Sequence, residues 1–102
     1  MKNRLTSAEV LNLLATVQDP ELGLNLVDLG LVFQLDVSDA LIDVRLLFTA
    51  QACPLRQLIV QACQDLLTAQ AAQEVRIAIE EEFPWTPDRL TPEGREALGY
   101  RP

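Results

Sequence analysis

The sequence contains no histidine, and only two cysteines occur among its 102 residues. The first absence removes the side chain most often used as a general base near neutral pH, which is also the commonest metal ligand. Ser-His-Asp hydrolases and His-based zinc sites are therefore excluded. The two thiols, Cys53 and Cys63, allow one disulfide at most, and a reducing cytoplasm disfavours even that. Basic residues are also scarce, with eight against fifteen acidic ones and a formal net charge of −7. They are scattered, whereas phosphate binding needs clustered Lys and Arg, so nucleic acid is not an expected partner. No apolar run approaches the roughly 18 residues that a membrane-spanning helix requires. The opening MKNRLTSAEVLNLL carries Lys2 and Arg4, but Glu9 and Asn12 break the apolar stretch behind them. No small-residue cleavage site follows, so a secretory leader is not expected. These absences together predict a cytoplasmic protein with no membrane partner.

Apolar residues make up 49% of the chain, enough for a packed core. The length suits one domain over 1–102. Thr6-Ser-Ala-Glu9 reads as a capping box, followed by a helical stripe of Val10, Leu11, Leu13, Leu14 and Val17. Asp19-Pro20 ends that helix. Residues 21–30 mix turn formers with apolar side chains and read as an ordered loop with a short helical turn. Period-two alternation then predicts two strands. Leu31, Phe33, Leu35 and Val37 lie on the inner face of the first, and Ile42, Val44, Leu46 and Phe48 on that of the second. The Ser38-Asp39 turn between them makes an antiparallel hairpin. Pro54 suits the first position of a second helix running to about Gln70, with a buried stripe of Leu55, Leu58, Ile59, Ala62, Leu66 and Ala69. Val75, Ile77 and Ile79 form the inner face of a third strand, parallel to the second by the right-handed crossover rule. The expected fold is an α/β (α+β) two-layer sandwich of order α-β-β-α-β. Its mixed three-stranded sheet carries helices on one face and an outer set of Gln34, Asp36, Asp43, Arg45, Arg76 and Glu80. Residues 81–102 should wrap the domain and include a short C-terminal helix from Pro92 to Leu98.

Cys53 is the strongest candidate for chemistry. It falls at the start of the second helix, where free N–H groups and the positive end of the helix dipole favour a thiolate. The thiolate is the form that attacks electrophiles and binds metals. The alternative is a buried, inert cysteine. Cys63 lies roughly 15 Å further along the same helix, too far for a disulfide or a shared metal, and reads as core filler. Asp19, Glu21 and Asp28 share a loop with Gly23 and Gly30. Asp28 either caps backbone N–H groups or serves as a ligand or proton acceptor near Cys53. Thr49, at the exit of the second strand, could bond the loop or a bound thiolate complex. Glu80–Glu82 beside Phe83-Pro84-Trp85 reads as a solvated strand end or, through the two aromatics, as an interaction surface.

Three segments resemble one family. DPELGLNLVDLGLV (19–32), TAQACPL (49–55) and PWTPDRL (84–90) followed by Gly94 to Gly99 are similar, in the same order, to the motifs of the SufT/PaaD-like metal–sulfur cluster assembly factors. The resemblance implies an α/β fold, a role in iron–sulfur protein maturation, and Cys53 as the functional thiol and shared metal or cluster ligand. Asp28, Thr49, Pro54 and Glu21 would support it. Gln51 stands where many relatives have proline. Members that serve the phenylacetate-degrading monooxygenase carry an added cysteine-rich C-terminal extension, and the sequence to Pro102 has none, so a monooxygenase-assembly accessory is the less expected branch. One thiol cannot hold a cluster, which takes about four ligands. The implied cluster or iron is therefore transient, not stably bound, and shared with a second copy in a homodimer, with a client or scaffold iron–sulfur protein, or with a small thiol. The leading expectation is a non-catalytic assembly or targeting factor. A thiol enzyme lacks both a resolving cysteine and a His base. A pure adaptor would use the polar sheet face with Phe83 and Trp85.

Overall fold

The computed structural model describes residues 2–20, 22–48 and 56–99. Helix α1 (Ser7–Leu14) begins with the expected capping box. The Glu9 N–H donates to Thr6 Oγ1 at 3.2 Å, and the Thr6 N–H donates to the Glu9 carboxylate at 3.1 Å. Two of the free N–H groups of the helix end are thereby satisfied. Val10 and Leu14 are fully buried, while Leu11 sits at the surface. The buried side-chain amide of Gln73 secures the chain just before this helix. It accepts from the Leu5 N–H at 2.9 Å and donates to the carbonyls of Leu5 (2.8 Å) and Ser38 (3.1 Å).

Strands β1 (Val32–Val37) and β2 (Leu41–Leu46) pair antiparallel, and β2 pairs parallel with β3 (Glu74–Ile79), giving the order β1-β2-β3. Ile42, Val44 and Leu46 are wholly buried and alternate with exposed Asp43 and Arg45, so one sheet face lies on the core. Two expectations need correction here. The β1–β2 register shifts between Val32 and Gln34, so Val32, not Phe33, opposes buried Leu46. A bulge inserts one unpaired residue and redirects the side chains around it. Phe33 accordingly leaves the alternation and stacks on Phe83, with ring centroids 5.4 Å apart. Glu80, expected to face water, is buried. Its N–H continues the parallel ladder to the Leu46 carbonyl, and its carboxylate meets Arg45 at 3.3 Å. A buried carboxylate needs such a partner.

Helix α2 (Arg56–Gln70) packs against the same face as α1 and buries Ile59 as expected, but its buried row continues through Cys63 and Leu67 and not through Ala62 and Ala69. Ile59, Cys63 and Leu67 are the buried residues, whereas Leu58 is 65% exposed and Ala62 and Ala69 face solvent. The buried three follow the i, i+4, i+8 row, the ridge a helix presents to a neighbour. A small sheet flanked by one short helix covers little more than that ridge. Leu55 lies outside the described residues.

Beyond β3 the chain forms a 3-10 turn (Pro87–Arg89) and helix α3 (Pro92–Leu98), whose first turn is capped by Thr91 Oγ1 accepting from the Gly94 N–H at 3.1 Å. Gly30 has a φ of +70°, and a Cβ there would collide with the backbone of Arg89. The loop and the C-terminal segment can approach this closely only because that position is glycine.

Candidate functional site

Four of the expected site residues, Glu21, Thr49, Cys53 and Pro54, lie outside the described residues. Phe48 ends the β2 side and is buried, and Arg56 opens α2. The Arg56 guanidinium lies over the Phe48 ring, 5.6 Å from its centroid. The side chains that flank residues 49–55 are therefore in contact.

Phe48 and Arg56 also line a cleft of about 170 Å³, whose other walls include Glu80, Glu81, Phe83 and Trp85. Arg56 Nη2 bonds the Glu81 carboxylate at 2.8 Å, so the cation near the start of α2 is tied to the chain leaving β3. Glu80 uses both oxygens, accepting from Arg45 and from the Glu82 N–H. The expected aromatic pair divides its work. Trp85 is half-buried and donates from Nε1 to the Leu29 carbonyl at 2.6 Å, which fixes it against the loop after α1. Phe83 is 57% exposed and presents its ring beside Phe33.

Asp28 stands in the middle of the link between that loop and the C-terminal segment. One carboxylate oxygen accepts from Asn25 Nδ2 at 2.8 Å, the other from the Thr91 hydroxyl at 2.9 Å. The Asp28 carbonyl accepts from the Thr91 N–H at 3.0 Å. A Cβ added at Gly94 would lie 2.5 Å from that same carbonyl oxygen, so α3 rests directly on this residue. Arg89 adds a bond from Nε to the Gly30 carbonyl at 2.8 Å and places its guanidinium over Phe33. Asp28 thus joins the motif of 19–32 to the motif of 84–99, two segments far apart in sequence.

Cys63 is fully buried, and loss of hydration pushes its thiol up to about 11. It is inert at neutral pH, as a core residue should be. Among the described residues no three His, Cys, Asp or Glu side chains gather as a metal site. No helix among them is long and apolar enough to cross a membrane.

Sequence reasoning missed Arg56. A cation near the N-terminal end of a helix opposes the helix dipole, and that conflict was the available signal that this arginine has another task.

The sheet, its helices and the ordered C-terminal segment define an iron–sulfur cluster assembly domain. The family model for iron-sulfur cluster assembly proteins matches residues 7–79, and the chain belongs to that family. It is 33% identical to the Fe-S protein maturation auxiliary factor YitW of Bacillus subtilis (strain 168), over 90% of this chain and 92% of that one. It is 32% identical to an iron-sulfur cluster carrier protein of Synechocystis sp. (strain ATCC 27184 / PCC 6803 / Kazusa), covering 93% of this chain but 26% of that longer protein. Among solved structures, a conserved hypothetical protein from Thermotoga maritima superimposes with a TM-score of 0.81 at 35% identity, covering 97% of this chain and 99% of that one.

Proposed function

We propose that this protein is a cytoplasmic maturation or targeting factor that passes iron–sulfur cargo to client or scaffold proteins through Cys53, without turnover of its own. The observation that carries the reading is the family match over 7–79, which spans Cys53. Its relatives bear the names of auxiliary factors and a carrier, which fits a non-catalytic role. The nearest described residues on each side of Cys53, Phe48 and Arg56, line one cleft with Trp85.

A single thiol supplies one of about four ligands to a cluster. The cargo is therefore held in passing, its other ligands coming from a client, a second copy of this chain or a small thiol. Thr49, Pro54 and Glu21 are proposed to shape the surroundings of the thiol. Asp28 acts at one remove, by holding the loop and the C-terminal segment that carries Trp85. Phe83, exposed beside Phe33, is the proposed contact for a client, with Trp85 as its support.

The test is client iron–sulfur enzyme activity in cells carrying only the Cys53→Ser form, with Phe83→Ala in parallel. Loss of client activity with the protein still folded is expected for Cys53→Ser. Full activity in that strain would overturn the thiol reading. If Phe83→Ala alone then abolished activity, the protein would be an adaptor instead.

A further inference from the structure

Helix α2 carries two apolar rows, and the core uses one of them. Ile59, Cys63 and Leu67 are buried. Leu58, Ala62 and Leu66 repeat the same spacing of four one residue earlier, so their row is turned about 100° around the axis. Ala69 extends it. Leu58 is 65% exposed, the most of any large apolar side chain among the described residues. Ala62 and Ala69 are exposed too, and Leu66 is half-buried. Neither leucine belongs to the core cluster or to the partly buried side chains packed against it. Covering such a row would remove apolar surface from water, which favours association.

Two features point to what covers it. The first is charge. The chain carries a net charge of −7, yet between Gln57 and Gln73 its only charged residue is Asp65. That carboxylate already accepts from Gln61 Nε2 at 2.8 Å. Gln64 is engaged as well, donating to Thr68 Oγ1 at 3.1 Å and to the Val75 carbonyl at 3.2 Å. Acidic copies of one chain repel each other on most faces, and this nearly neutral one is where they can meet. A basic partner would be drawn to the acidic faces instead. The second feature is symmetry. The row Leu58, Ala62, Leu66 reads the same in both directions about Ala62. A two-fold pair requires such a patch, with residue i on j and j on i. Antiparallel α2 helices meeting at Ala62 set each Leu58 against Leu66 of the other copy, and the central alanines let the backbones approach. We propose that this row pairs two copies of the chain, antiparallel through α2. Its four side chains fall well short of the roughly 20–30 residues a side of a stable interface, so the pair forms only at high concentration. The pairing does not depend on the proposed role of Cys53.

Sedimentation equilibrium of the wild-type chain, from about 10 µM to about 1 mM, measures the pairing over the range expected of a weak complex. The weight-average mass should rise from 11.3 kDa toward twice that value. Added salt should raise it further, because it screens the repulsion between the two acidic chains. Leu58→Gln, a change at an exposed side chain, should weaken the pair about tenfold or more, since both copies lose a buried leucine. Cross-linking tests the symmetry. In a Cys53→Ser background, Ala62→Cys places two thiols at the two-fold axis. Diamide, which takes up two electrons and two protons as the S–S bond forms, should link them. Ala69→Cys lies seven positions from the axis, which sets its thiols about 21 Å apart along the helices. It should not link, and neither should buried Cys63. A chain that stays monomeric throughout would overturn the pairing, as would equal linkage of Ala62→Cys and Ala69→Cys. Lost client enzyme activity in a Leu58→Gln strain, with the wild-type chain monomeric throughout, would overturn it and assign the row to a client protein.

Discussion

Cys63 makes its environment measurable. Its folded thiol holds its proton up to about 11, whereas the unfolded thiol releases it near 9. Between these values the unfolded state binds fewer protons, so stability falls as pH rises. The contribution is complete below pH 9 and lost progressively toward 11. Urea midpoints of wild type and Cys63→Ala should therefore converge over that window, and a constant difference would mean the thiol ionises freely in the folded state. Asp28 offers a second residue-scale test. Thr91→Val and Asp28→Asn each leave a half-buried polar group short of a partner, costing about 1–3 kcal/mol. A double-mutant cycle should show a coupling of about 0.5–3 kcal/mol between them. Additive losses would mean the 2.9 Å bond contributes nothing. Asp28 also marks a limit of sequence reading. Its place in a Gly-containing loop suggested a capping or ligand role; Asn25, one of its two side-chain partners, is local, but Thr91, the other, is 63 positions away, and no local pattern announces such a contact.

The elements divide along the same line. What depends on neighbours in sequence was legible: the Thr6–Glu9 capping box, the period of two in β2 and β3, and the proline-led helix Pro92–Leu98 all stand where expected. What depends on how elements meet was not. The bulge that frees Phe33 arises from the β1–β2 register, and the buried line of α2 is chosen by the sheet beneath it. That line can be tested directly. Leu67→Ala should cost about 2–5 kcal/mol by opening a cavity, whereas Leu58→Gln should stay within about 0.5 kcal/mol. Equal losses in denaturant titrations would restore the stripe through Leu58. Thr6→Ala should cost about 1 kcal/mol, read in the same experiment.

Across the whole molecule, the loop after α1 and the segment 84–99 behave as one body, because Trp85, Arg89 and Thr91 all bond to residues 28–30. Trp85→Phe removes the bond to Leu29 and should speed amide exchange at Thr91 and Leu31 together. Faster exchange at only one of them would show that the two segments open separately. Of the candidate site, the sequence offered Cys53, which lies outside the described residues, while the cleft of Phe48, Arg56 and Glu81 became visible only once β2, α2 and the chain after β3 were brought side by side. The contact between Phe48 and Arg56 has a bearing on how such a protein can be altered. In general, doubling the length of a chain that joins two fixed moorings adds only about 0.6 kcal/mol of closure entropy. The seven positions between those moorings could be exchanged for the corresponding stretch of a relative, or lengthened, while the scaffold holds its shape. Such chimeras would vary those seven positions while keeping the sheet and helices constant.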